Sequence, residues 1–97
     1  MAPRIAFDWD KENRRHLQRH KVAPEEFEEV MFNEPADLEY EYELGEDRYK
    51  VLGVTNRGRI LVVIWTPRGD RIRAVTAYPA PAHLRRTWAE YWEERSR

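Results

Sequence analysis

The sequence predicts an α+β domain: an antiparallel sheet of about four strands plus a short N-terminal strand, packed with two N-terminal helices and one C-terminal helix. Three observations predict it. Apolar residues recur at helical spacing over residues 24–32 and 84–92, the period falls to two between residues 38 and 78, and three Gly-containing segments cut that stretch into hairpins. At 97 residues, 1–97 reads as one domain around one core, with no internal repeat, low-complexity tract or linker.

Phe7-Asp8-Trp9 reads as a short edge strand leading into a helix, with Asp8 or Asp10 accepting from the free N–H groups of the first turn. That helix runs to about His20, and its apolar face is poor: Leu17 is flanked by Asn13, His16 and His20. Either it is mostly exposed or its polar stripe has a task. Pro24 suits the first position of a second helix, which buries Phe27, Val30 and Met31 and ends near Phe32, before Asn33-Glu34-Pro35. Leu38, Tyr40 and Tyr42 then alternate with Glu39, Glu41 and Glu43, giving a strand over 37–43 with one apolar and one acidic face. Gly45-Glu46-Asp47 makes the turn into strands expected over 48–55, 59–66 and 71–78. Ile60 to Trp65 is apolar on both faces and so belongs at the centre of the sheet. After Pro79-Ala80-Pro81 comes an amphipathic helix with Leu84, Trp88, Tyr91 and Trp92 on its core-facing stripe and His83 on its surface.

The chain is 41% hydrophobic and 36% charged, with four Trp, five Tyr and three Phe, enough for a small domain of high surface-to-volume ratio. It has no cysteine, which excludes disulfides and thiolate metal sites. The start Met1-Ala2-Pro3-Arg4 lacks an apolar signal region, and the longest apolar run is far short of the roughly 20 residues that span a bilayer, so a cytoplasmic location is expected. The net charge of -1 conceals a strong pattern. Residues 1–24 carry six bases and three acids, residues 25–47 eleven acids and no base, and residues 48–76 seven bases and one acid, Asp70. A patch of one sign, rather than the net value, is what meets a phosphate backbone or a charged protein.

Loop lengths decide which cations share a face, because a slip of one residue reverses every side chain. With Asn56-Arg57-Gly58 as a three-residue loop and Gly58 left-handed, Lys50 lies opposite Ile64 and Arg48 opposite Thr66. With Pro67 to Asp70 as a four-residue loop, Arg71 faces Thr66 and Arg73 faces Ile64. Arg48, Lys50, Thr66, Arg71 and Arg73 then converge at one end of one face. A two-residue loop at Arg57-Gly58 instead sends Arg48 and Lys50 to the face of Trp65, Thr76 and Tyr78. Clustered cations repel one another and need a partner. RNA phosphates are one, since planar guanidinium groups match phosphate oxygens and the added charge of a pentacoordinate phosphorus. Glu39, Glu41 and Glu43 of the neighbouring strand are the other.

His16 and His20 stand at i, i+4, a spacing shared by metal ligands, but no third ligand is indicated and the His-Glu-x-x-His context is missing, so no metal and no cofactor are expected. His20 has the imidazole chemistry for general acid or base work. Gly-rich phosphate loops, a Ser-His-Asp arrangement and a DNA-reading helix are absent, which argues against a nucleotide-dependent enzyme.

Several segments, in order, resemble the BrnT family of toxins from bacterial type II toxin-antitoxin modules, small ribonucleases similar in fold to the RelE group. They are Phe7-Asp8-Trp9-Asp10 with Lys11 and Asn13, His20-Lys21-Val22 with Glu25-Glu26, Phe32-Asn33-Glu34-Pro35, Arg48-Tyr49 with Leu52-Gly53, Arg59 to Val63, and Arg71-Ile72-Arg73 through Pro79-Ala80. The resemblance implies a RelE-like fold and metal-independent endonucleolytic cleavage of RNA through 2′-hydroxyl attack. It also implies a BrnA-like ribbon-helix-helix antitoxin through which alone the protein reaches DNA. In that scheme Arg48 and Arg73 stabilise the phosphorane, Lys50, Thr66 and Arg71 hold the RNA backbone, and His20 or Tyr78 moves protons. Two positions depart from the family: Lys21 stands where members usually have Gly, and Tyr78 where the last strand commonly ends in Arg. The second departure keeps open an alternative, a binding protein of weak or no activity that acts through its antitoxin. The acidic stretch 25–47 is then either a solvated face or a surface for a basic antitoxin segment.

Overall fold

Residues 5–96 are described by a computed structural model; Met1–Arg4, read above as lacking an apolar signal region, and Arg97 lie outside the described residues. The period-two stretch folds into strands β2 (Ala36–Glu43), β3 (Glu46–Val54), β4 (Ile60–Arg68) and β5 (Arg71–Pro79), each antiparallel to the next. A fifth strand, β1 (Ala6–Asp8), pairs parallel with β5, so the sheet runs β1-β5-β4-β3-β2 with the doubly apolar β4 at its centre. Helices α1 (Lys11–Arg19), α2 (Pro24–Phe32) and α3 (Ala82–Arg95) complete the expected α+β layout. No helix among the described residues is long and apolar enough to cross a membrane.

Two apolar clusters hold these layers together. Leu17 of α1 and Phe27 and Val30 of α2 pack with Val51, Leu61, Val63 and Ala77. Trp88 of α3, with Leu84 and Tyr91, packs with Leu52, Val62 and Ala80 on the other face. Leu17, Phe27 and Val30 are wholly inaccessible, and burying each contributes roughly 1.5–3 kcal/mol. Trp92 departs from the expected stripe: it is 49% exposed and stacks on Trp88 at 6.0 Å instead of reaching the sheet.

The weak apolar face of α1 is explained by Asn13, which is 2% exposed. Asp10 is the N-cap: its Oδ1 accepts from the Asn13 N–H at 2.9 Å, Asn13 Oδ1 accepts from the Asp10 N–H at 2.9 Å, and Asn13 Nδ2 donates to the Asp8 carbonyl at 2.7 Å. One polar side chain thus caps the helix and ties it to β1. Beyond the C-cap, Lys21 is left-handed (φ 57°), and the Lys21 and Val22 N–H groups donate to the Gln18 and Leu17 carbonyls.

The loop at Asn56-Arg57-Gly58 has the expected three residues. Gly58 has φ 85°, the Thr55 N–H donates to the Arg59 carbonyl, and Lys50 lies opposite Ile64. The second loop is shorter than predicted. Arg68 pairs with Arg71, leaving a two-residue turn at Gly69-Asp70 in which Gly69 takes φ 62°. Arg71 therefore faces Arg68 rather than Thr66, and Arg73 faces Thr66 rather than Ile64. A bulge at Val75 then shifts the register by one more residue: Ile64 pairs with Thr76 and Val62 with Tyr78, which moves Thr76 and Tyr78 to the face of Lys50 rather than that of Trp65.

Candidate RNA-binding cleft

The two faces of the exposed sheet end differ in chemistry. On the face covered by α2, Trp65 stacks on Tyr49 with ring centroids 4.7 Å apart, and Tyr40 follows at 5.1 Å. Trp65 is half-buried against the core, as expected from its sequence context, and its Nε1 is buried without a hydrogen-bond partner. Tyr40 donates to Asp47 Oδ1 at 2.5 Å, which pushes the phenol up to about 12 because ionising it beside that carboxylate is unfavourable.

On the other face lies a cleft of about 620 Å³ lined by Arg48 and Glu46 of β3, Thr66 and Arg68 of β4, Arg73 of β5 and His16 of α1. Thr66 forms its floor. It is 2% exposed, and its Oγ1 is buried with no hydrogen-bond partner, which costs folding free energy. A second groove of about 240 Å³ adjoins the cleft, shares Arg48 and Thr76 with it, and extends over Lys50 and Ile64 to Glu39, Glu41 and Glu43.

The carboxylates anticipated as internal partners are engaged. Arg48 Nη1 lies 3.2 Å from Glu43 and its Nε 3.1 Å from Glu46, while Lys50 Nζ lies 3.8 Å from Glu39. Arg73, only 14% exposed, sits between Asp8 at 3.6 Å and Asp10 at 2.7 Å. The Asp10 carboxyl is held below its ordinary range, first by the Asn13 N–H and then by Arg73. Among the described residues, Arg68 and Arg71 make no ion pair.

Of the residues singled out from sequence, Arg48, Thr66 and Arg73 meet in the cleft, Lys50 lies in the adjoining groove, and Arg71 stands at the hairpin tip opposite Arg68. His20 and Tyr78 do meet each other, with ring centroids 5.8 Å apart, but away from these cations. Tyr78 pairs with Val62 and Arg73 with Thr66, so roughly 13 Å of strand separates the two sites. His16, one helical turn before His20 and half-buried, is the histidine that lines the cleft. It was considered above only for its metal-ligand spacing. Among the described residues no three His, Asp or Glu side chains gather to hold a metal ion. Arg68 and Glu46, which also line the cleft, fell within segments read as turns, and nothing in their spacing marks them.

No curated protein and no solved structure matches the chain. Residues 9–83 match the family model described as the ribonuclease toxin, BrnT, of type II toxin-antitoxin systems, a span that runs from just after β1 through α1, α2 and β2 to β5 and into the first turn of α3. The chain belongs to the BrnT family of ribonuclease toxins.

Proposed function

We propose that this protein is a metal-independent RNA endonuclease that breaks the chain in the Arg48–Thr66–Arg73 cleft and is neutralised by a cognate antitoxin. The observation that carries the reading is the convergence of Arg48, Arg73 and His16, from three different elements, on one cleft. A phosphate seated there receives guanidinium donors from Arg48 and Arg73. His16 takes the proton of the ribose 2′-hydroxyl, the 2′-oxygen bonds to phosphorus, and the bond to the 5′-oxygen breaks. That oxygen takes a proton from a water that is in turn reprotonated by His16, leaving a 2′,3′-cyclic phosphate, a 5′-hydroxyl and neutral His16. Arg48 and Arg73 stabilise the extra charge of the pentacoordinate phosphorus, and Lys50 and Arg71 hold the flanking backbone. Tyr78, with His20 beside it at the end of α1, lies too far along β5 from Arg73 to share that phosphate. The antitoxin is of the BrnA-like ribbon-helix-helix kind, and through it the pair binds its operator DNA. The setting is the bacterial cytoplasm.

The test is cleavage of bulk cellular RNA in chelator by the wild type, by Arg73→Ala and by His16→Asn, with thermal melting to confirm folding. Cleavage by the wild type and its loss in both variants is expected. No wild-type cleavage, or equal cleavage by all three, refutes the reading.

One observation favours a second reading, a binding protein that acts through its antitoxin in operon regulation. Arg48, Lys50 and Arg73 are already satisfied by carboxylates of the same chain. It predicts that expression of the chain alone leaves growth unchanged, and growth arrest rescued by the neighbouring gene defeats it.

A further inference from the structure

Strand β2 ends the sheet, so the backbone N–H and C=O groups on its outer side have no strand partner. Such edges are ordinarily blunted by brevity, proline, bulges or charged side chains, lysine above all. This one is eight residues long, has no proline or lysine, and is interrupted only by an irregularity between Asp37 and Glu39. Its two faces are sharply unlike. Glu39, Glu41 and Glu43 point to the side of Arg48 and Lys50, whereas Tyr40 and Tyr42 occupy the opposite face and are 54% and 70% exposed.

A second copy of the chain is a poor occupant, because antiparallel pairing of β2 with itself sets one glutamate row against another. The complement is an extended segment with Lys or Arg on alternate residues and apolar side chains between them. We propose that β2 is the docking strand for such a basic segment of the antitoxin, which joins the sheet by strand addition. This rests on the family reading for the existence of a protein partner, and not on RNA cleavage. Cations of the added strand reach Glu39, Glu41 and Glu43, which line the groove adjoining the cleft, and Glu41 is in no ion pair among the described residues. The docked strand and RNA then compete for the same end of the sheet.

The experiment titrates the isotope-labelled chain, without RNA, with a peptide of alternating Lys and Val matched to the eight residues of β2. Its N-methylated counterpart, which cannot complete backbone hydrogen bonds, and a Glu-Val peptide serve as controls. Expected are amide shift changes and slowed exchange over 36–43, no binding by either control, and a weakening of about tenfold with Glu41→Lys. The proposal is overturned by absence of binding at millimolar peptide, equal binding of the N-methylated form, indifference to Glu41→Lys, shifts mapping elsewhere, or dimers of the chain formed through β2. Because RNA cleavage is measured separately, failure here leaves the nuclease reading intact, and the reverse holds.

Discussion

Replacing Glu43 and Glu46 together by Gln tests whether Arg48 is a phosphate ligand or a structural cation. In the native chain both carboxylates hold its guanidinium, which is 27% exposed, while Glu43 and Glu46 are 50% and 33% exposed. Ion pairs this open to solvent contribute about 0.2–1 kcal/mol each, and two that share one guanidinium are not fully additive, so the set is worth about 1 kcal/mol. A phosphate that takes Arg48 must displace them, whereas in the double variant nothing needs displacing. RNA affinity should therefore rise about fivefold, the equivalent of about 1 kcal/mol. The newly engaged cation should steepen the slope of log affinity against log salt by about 0.7, the increment for one phosphate on a single strand. Stability should fall by the same ~1 kcal/mol, lowering Tm by about 4–8 °C. Fluorescence anisotropy of a labelled single-stranded RNA across a salt series reads affinity and slope, and a melt reads stability. Lower Tm with unchanged or weaker RNA binding refutes the reasoning and assigns Arg48 to the β2–β3 hairpin alone.

Three further outcomes follow from single sites. Lys21→Gly relieves a left-handed non-glycine residue at the end of α1 and should stabilise by about 1 kcal/mol, read by denaturant unfolding. Thr66→Val removes the unpartnered buried hydroxyl at nearly constant shape; stability should be unchanged or up by about 1 kcal/mol. RNA cleavage should be unchanged, because that hydroxyl is shielded from the cleft. Ultraviolet titration should find one phenol, Tyr40, ionising at about 12, and Asp47→Asn should return it toward 10. Because the folded value is raised, the stabilisation is present below pH 10 and is lost as pH climbs toward 12.

The sheet was legible because its signals are local. The alternation of Leu38, Tyr40 and Tyr42 with glutamates, the doubly apolar Ile60–Trp65 and the left-handed Gly58 each act within a few residues, and each appears in the fold. Arg73 pairs one residue pair away from its expected partner because the turn at Gly69 is tighter than four residues, and the Val75 bulge adds a further slip that carries Thr76 and Tyr78 to the other face. Each shifts the register, and neither is marked beyond a single glycine. The strand-helix junction at Asp8 and Asp10 was seen as a cap, but its second role, clasping Arg73, depends on parallel pairing of β1 with β5 across more than sixty residues of chain. His16 was overlooked because the helix's direction along β5 places Glu12 and His16 at the cation end and His20 beside Tyr78, which helical periodicity alone cannot reveal.

The acidic stretch 25–47 and the basic stretch 48–76 are folded against each other by the β2–β3 hairpin, so under the proposed function RNA would bind largely by exchange of one anion for another at Arg48 and Lys50. Exchange yields little net electrostatic gain, since the guanidinium loses one partner as it takes the next. The full gain is left to cations without a partner, and in this end of the sheet those are Arg68 and Arg71, facing each other across the β4–β5 hairpin where their mutual repulsion favours an added anion. Two such contacts give a wild-type salt slope of about -1.4, or about a sevenfold loss of affinity between roughly 50 and 200 mM salt. Arg68→Ala with Arg71→Ala should flatten that slope almost to zero, whereas Arg48→Ala should leave most of it in place, although Arg48 stands closer to Thr66 and its loss should weaken cleavage more. A double variant at 68 and 71 that keeps the wild-type slope would show that the carboxylates do release Arg48 and Lys50 in full, and that the hairpin tip takes no part in binding.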